Sequence, residues 1–246
     1  MKMRFALLFT AMFLAACVSA DDGEPEGSDE AEDYVVDQDD GKADGVAAVF
    51  NQNNVVPEAY FVDNREMTAA EVQAFLEHSP YGTRSWLSDY RTPSGRSAAV
   101  AITEEARDEN IHPIMLLIRM QGESSIVSKT VRPSTQMINQ ALGCGCPDGA
   151  ACNAAYRGFD AQLECGAKTL RRWYDASADR TGEWRVGRTT RTLDNRGVTP
   201  ANHATASIYQ YTPWVLLNRG GAWLTWNVAR KYVRHALDEG YLPRGI

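Results

Sequence analysis

One carboxylate in this 246-residue chain stands where the surrounding pattern is apolar. Glu123 ends the run Pro113-Ile-Met-Leu-Leu-Ile-Arg-Met-Gln-Gly-Glu123, followed by Ser124 and Ser125. A carboxyl group in an apolar pocket favours its neutral form and is then able to give a proton to a leaving oxygen near neutral pH. That is what a general acid acting on a glycosidic bond requires. The plainer fate of the same residue is a glutamate leaving the end of a helix into solvent. Glycosidases usually add a second carboxylate, about 5–5.5 Å away for retention or about 6.5–9.5 Å for inversion. Asp148, Asp160 and Asp194 are the candidates, each with a simpler role as turn former, helix-start acid or loop charge.

The elements that must position Glu123 are mainly helical. Thr68 and Glu71 form a capping-box pattern ahead of Ala69 to Glu77, where Val72, Phe75 and Leu76 make one apolar stripe. A second helix is expected over Ser97 to Asn110, with Glu104, Glu105, Arg107 and Asp108 on its far face. Pro113 suits the first turn of a third helix, which runs to about Ser124 and is apolar on nearly every side, as a buried central helix would be. Residues 132–158 read as loop, because Pro133, Gly143, Gly145, Pro147 and Gly149 interrupt any period. Helical spacing returns with Phe159, Leu163, Ala167, Leu170 and Tyr174. Residues 178–201 suit a short β-hairpin or extended loop. Asn202 then caps a helix through Tyr211 that Pro213 closes, and Ala222 to Glu239 forms the last helix.

Compartment follows from the N-terminus and the cysteines. Lys2 and Arg4 precede an apolar run, Phe5 to Ala16. It is shorter than the roughly 20 residues of a spanning helix and matches a signal-peptide core. Its end, Leu14-Ala-Ala-Cys17, resembles a bacterial lipobox, which implies cleavage after residue 16 and acylation of Cys17. With Val18 next, the resemblance implies outer-membrane retention in a Gram-negative source, facing the periplasm. Residues 17–45 read as an acidic tether with too few apolar side chains to order. Twelve acids and one base fall in residues 18–45, whereas residues 46–246 hold 20 acids and 22 bases. The bulk charge of -7 therefore misdescribes the domain, which is net +2. No basic stripe with interleaved aromatics argues for nucleic acid. Cys144, Cys146, Cys152 and Cys165 form an even set suited to two disulfides in an oxidising space. Of the three pairings, the one joining Cys144 to Cys146 across Gly145 is disfavoured by strain. A zinc site is the alternative, but paired C-x2-C knuckles are missing.

Four ordered segments carry a further resemblance. They are Pro113 to Ser125, Gly143-Cys-Gly-Cys-Pro-Asp148, Tyr156-Arg-Gly-Phe-Asp-Ala-Gln-Leu163, and Asn202-His-Ala-Thr-Ala-Ser-Ile-Tyr-Gln-Tyr-Thr-Pro213. Together they resemble the lysozyme-like lytic transglycosylases, and more narrowly an exported bacterial subgroup of wall-degrading domains. The resemblance implies a lysozyme-like domain over residues 46–246 with a disulfide-containing loop. It also implies Glu123 as catalytic acid and Ser124 as a hydroxyl helping to hold the sugar or the acid. Phe159 and Gln162 fall where the family has a cleft-lining Gly-Leu-Met-Gln segment, although the glutamine comes one residue late. Asn202 and Tyr209 match a cleft helix, and Tyr211 is placed to hydrogen-bond Glu123. An aromatic pair in the core is the plainer reading of the two tyrosines.

The implied substrate is the peptidoglycan glycan strand. The expected reaction is cleavage between N-acetylmuramic acid and N-acetylglucosamine with a 1,6-anhydro product, with no cofactor and no metal. Contact with a membrane is expected through the lipid alone. Hydrolysis by a muramidase or glucosaminidase, and wall binding without catalysis, are the competing readings. Trp214, Trp223 and Trp226 suggest a weaker reading as an interaction module.

Overall fold

The computed structural model describes residues 45–62, 67–147 and 151–244. Residues 1–44, which hold the expected signal peptide, Cys17 and nearly all of the expected acidic tether, lie outside the described residues, as does Asp148. Seven α-helices, four short 3-10 helices and one two-stranded hairpin make up the regular structure of the described region, so it is mainly helical. The helices are α1 (Ala69–Glu77), α2 (Ala98–Asp108), α3 (Pro113–Ser124), α4 (Thr135–Asn139), α5 (Phe159–Ala178), α6 (His203–Tyr211) and α7 (Gly221–Asp238).

The central element is α3. His112 caps it by accepting the Ile114 amide on Nδ1 at 3.1 Å, and Pro113 fills the first turn where its missing N–H costs nothing. Every residue from Pro113 to Gln121 is buried, and α3 packs against α7, α2 and α5. A fully buried Leu or Ile contributes about 1.5–3 kcal/mol relative to exposure, so Leu116, Leu117 and Ile118 anchor this helix at the domain's centre. Ser125, in the left-handed region at φ 52°, ends it. The following turn is fixed by Gln121, whose Oε1 accepts the Ser128 amide at 3.1 Å while its Nε2 donates to the Ser128 hydroxyl at 3.2 Å.

The capping box at Thr68 forms as the sequence indicates, and Ser97 caps α2 through the Val100 amide. The loop reading of residues 132–158 needs one correction. Ser134 accepts the Met137 amide and starts the five-residue α4, which is too short to show a hydrophobic period. The hairpin, β1 (Thr190–Arg191) with β2 (Gly197–Val198), pairs Thr190 with Val198 and Arg191 with Gly197. In the segment before it, Trp184 stacks on Tyr209 of α6 with ring centroids 4.9 Å apart. Residues 46–56 belong to the domain. The Trp226 indole N–H donates to the Ala47 carbonyl, and the Val55 amide donates to the Thr205 hydroxyl. Trp223 and Trp226 are buried, which gives them to the core and not to an interaction surface.

Two disulfides, Cys144–Cys165 and Cys146–Cys152, use all four cysteines of the domain and leave no thiolate of this set for zinc. The first ties the loop after α4 to α5 and the second closes a small loop within that segment. Loop closure is the main entropic contribution of a disulfide and grows with the number of residues enclosed. With sequence separations of 21 and 6, replacing both cysteines of the first bridge by Ala should cost about 3 kcal/mol and of the second about 2 kcal/mol. Denaturant unfolding of the two double variants checks the order; an equal or reversed ranking counts against it.

Candidate active site

Glu123 does not sit in an apolar pocket. It lies at the exposed end of α3, with 30% of its side chain accessible, and its closest charged neighbour is a cation. Arg119, one turn earlier on the same helix, donates from Nη2 to Glu123 Oε1. Arg119 itself is 97% shielded, since only 3% of its surface is accessible. Its Nη1 donates to the Thr212 hydroxyl at 3.2 Å, and its guanidinium lies 4.0 Å from the centre of the Tyr211 ring. Its Nε has no hydrogen-bond partner. The arrangement is therefore a guanidinium clamped between a carboxylate, a hydroxyl and an aromatic face.

The other oxygen of Glu123 faces a loop backbone. A Cβ placed on Gly143 would stand 2.5 Å from Oε2, and Gly143 has φ 65°, so close approach and backbone conformation both require glycine here. This loop is held by three devices. Gln162 is buried, accepts the Leu142 and Cys144 amides on Oε1 at 3.1 Å each, and donates from Nε2 to the Cys144 and Tyr156 carbonyls at 2.8 and 2.7 Å. The Ser124 hydroxyl bonds the Ala141 carbonyl at 2.9 Å as well as its own helix at Met120. Gly166 on α5 lets Leu142 pack close, because a Cβ there would meet Leu142 Cδ2 at 2.5 Å.

These placements sort the residues expected in the site. Glu123, Ser124, Gln162 and Tyr211 converge around the Ala141–Cys144 segment. Ser124 and Gln162, however, spend their polar atoms on loop backbone, so they position the loop instead of lining a cleft. Tyr211 does not bond Glu123; its hydroxyl donates to the Leu142 carbonyl at 3.1 Å and its ring meets Arg119. Burial pushes the Tyr211 hydroxyl above the usual phenol range, with Arg119 opposing and Glu123 reinforcing the shift. It stays protonated and able to donate. Phe159 is fully buried against Tyr90, which leaves no face for a ligand. Asn202 is the α6 cap, accepting the Thr205 amide at 2.7 Å and donating to Asn54 and the Val56 carbonyl. Tyr209 is fully buried under Trp184 and its hydroxyl lacks a partner, so the core reading holds for it.

The residue the sequence reading passed over is Arg119. Its signal was available as a charge four residues before Glu123 on an otherwise apolar helix face, the spacing of an ion pair. The groove beside the site, about 430 Å³, was equally unmarked; Gly143 and Tyr211, which flank the Glu123–Arg119 pair, form part of its wall.

Neither described candidate for a second acid is free. Asp160 pairs with Arg96 at 2.9 Å, in a cluster that also holds Glu104 and Glu105. Asp194 accepts the Val215 and Leu216 amides at 3.0 Å each. Among the described residues no cluster of His, Cys, Asp and Glu is suited to a metal ion, and no helix is long and apolar enough to cross a membrane. Comparisons with protein-family models, curated proteins and solved structures return no match to the chain.

Asp194 offers a test of the hairpin anchor. Burial resists its ionisation, but hydrogen bonds from Thr192 and from the Val215 and Leu216 amides outweigh that and hold its carboxyl below the usual range. In the acidic window between its folded value and the unfolded value of about 3.9, the unfolded chain binds more protons. Stability from this group is thus complete above that window and is lost as the pH falls through it. Asp194→Asn should be less stable than the parent at pH 7 and converge on it towards pH 2; parallel stability curves would refute the anchor.

Proposed function

We propose that this protein cleaves the β-1,4 bond between N-acetylmuramic acid and N-acetylglucosamine in peptidoglycan, as a lytic transglycosylase on a lysozyme-like helical scaffold. Glu123 is its general acid and base. An exported lipoprotein, acylated at Cys17 and held at the outer membrane, is the setting that goes with this reading. The observation that carries it is the division of labour between the oxygens of Glu123: Oε1 is engaged by Arg119, and Oε2 is turned towards Gly143 at the wall of a groove.

The chemistry needs one carboxyl group to act twice. The cycle starts from the carboxylic acid with its proton on Oε2, which delivers that proton to the glycosidic oxygen while Oε1 continues to accept from Arg119. The neighbouring acetamido group of the substrate stabilises the cation that forms. Oε2 then takes the proton of the muramic 6-hydroxyl, which closes on the anomeric carbon and yields the 1,6-anhydro sugar. Arg119 is a positioning residue in this scheme. It holds the carboxyl by one oxygen, so the same atom is presented in both steps, and Tyr211 and Thr212 hold Arg119. Among the described candidates for a second acid, Asp160 and Asp194 are engaged elsewhere, as a single-carboxylate route allows. The Arg119–Glu123 pair also suits a wall-binding protein without catalysis, and activity decides between the two.

Glu123→Gln should lower release of soluble muropeptides from purified sacculi at least a hundredfold, and parent products should be one water lighter than hydrolytic ones by mass spectrometry. Unchanged release from the variant sinks the catalytic assignment; hydrated ends turn it into a hydrolase. Gly143→Ala should act on the same atom. The added methyl displaces the Glu123 carboxyl from its place beside Arg119, so unfolding should shift by about 1–3 kcal/mol from backbone strain and the loosened pair, while turnover falls more than tenfold. Turnover that merely tracks stability would argue against Oε2 as the working atom.

A further inference from the structure

We infer that the groove beside Glu123 is a recognition site for a carboxylate carried on a saccharide, with Arg172 as its anion-binding residue and Trp173 and Tyr156 as its sugar platforms. This rests on the glycan-cleaving reading above and names what that site selects. The groove is walled by Gly143 to Pro147 on one side and by Cys165, Thr169, Arg172 and Trp173 of α5 on the other, with Tyr156, Gln210 and Tyr211 completing it. None of these lining residues is acidic, and Arg172 is the one cation among them.

Arg172 is the uncommitted base of its neighbourhood. Lys168 is paired with Glu164, and Arg171 with Asp175 at 2.7 Å. Arg172 has no such carboxylate among the described residues. Its exposed guanidinium instead lies 4.4 Å from the centre of the Trp173 ring, a stack that orients the planar fork while leaving its N–H groups for a ligand. A carboxylate is the anion that a guanidinium fork recognises in bidentate fashion. Tyr156 is 40% exposed and half-buried Trp173 sits in the same groove; aromatic faces of this kind suit the apolar face of a sugar ring.

Preorganisation supports the assignment. The Cys144–Cys165 bridge joins the loop wall directly to the α5 wall, and the Gln162 clip fixes the Leu142–Cys144 backbone and the Tyr156 carbonyl from below. A site whose walls are covalently joined loses little freedom on binding. The adjoining hollow along α5 carries no net positive charge, since Glu109, Asp175 and Asp179 line it together with Lys168, Arg171 and Arg172. In the groove walled by Gly143 to Pro147, by contrast, Arg172 is the one charged lining residue among the described residues.

Equilibrium binding in the Glu123→Gln background, where no bond is cut, tests this separately from catalysis. Three probes are compared: neutral chitotetraose, a muramyl tetrasaccharide with free lactyl carboxylates, and the same tetrasaccharide bearing stem peptides. The carboxylate-bearing probes should bind more tightly than chitotetraose, and Arg172→Gln should reduce that preference about tenfold, as expected for one charge-assisted pair worth about 1.4 kcal/mol. Arg172→Lys should restore only part of it. Loss confined to the free-lactyl probe or to the peptide-bearing probe supports the site and identifies the source of the carboxylate. An unchanged preference, or an equal loss for all three probes, overturns the inference. If the parent protein cuts no glycan yet the preference behaves as stated, the catalytic reading fails and the groove assignment stands.

Discussion

A buried guanidinium organises this domain. Removing an arginine from water costs several kcal/mol unless its hydrogen bonds and charge are matched. Arg119 is matched by three groups from two elements: Glu123 on its own helix, and Thr212 and Tyr211 at the end of α6. Its Nε is left without a partner, a desolvation cost that the contacts of the other two nitrogens have to offset. The consequence runs in both directions. Glu123 gains a fixed orientation, and the fold comes to depend on Glu123, since its removal would strand a buried cation. A neutral amide at position 123 keeps an acceptor for Nη2, whereas alanine would not, so the two substitutions differ in stability before chemistry is considered.

The second constraint is the backbone of the Ala141–Cys144 segment, which has to approach Glu123 without the support of regular structure. A glutamine side chain offers two lone pairs and two donors, and Gln162 uses both ends on that loop. Ser124 adds a link from α3, and the disulfide to Cys165 adds one from α5. These contacts tie the loop to both α3 and α5. Function carried on a loop needs such a supporting shell, because a displacement of about 1 Å is enough to spoil a reacting geometry.

Much of the scaffold was legible because its signals are local. The Thr68 capping box, Pro113 and the Asn202 cap each act within one helical turn, and the apolar character of residues 113–121 fits burial on all sides. The site was less legible because its decisive contacts are not local. Periodicity says that a face is buried but not what lies across it, so Tyr209 and Tyr211, two residues apart, read alike. One turned out to stack on Trp184 and the other on Arg119. Gln162 and Asn202 were legible as residues of consequence, yet the sequence does not distinguish a polar side chain that faces a ligand from one that satisfies buried backbone. The α4 helix escaped because five residues contain barely more than one turn of pattern.

The fate of the other carboxylates bears on the chemistry. Asp160 sits in the first turn of α5, where a negative charge is favourable, and Arg96 uses it to join that turn to α2. Asp194 is consumed in closing the backbone between the hairpin and α7. A hydrolase that recruited either as base or nucleophile would have to break a structural interaction in each turnover. Glu123 carries no such burden on Oε2, although Oε1 is fully engaged. With one oxygen fixed and one free, the group is suited to passing a single proton out and back through the same atom. The proposed single-carboxylate route therefore leaves the Asp160 and Asp194 interactions intact.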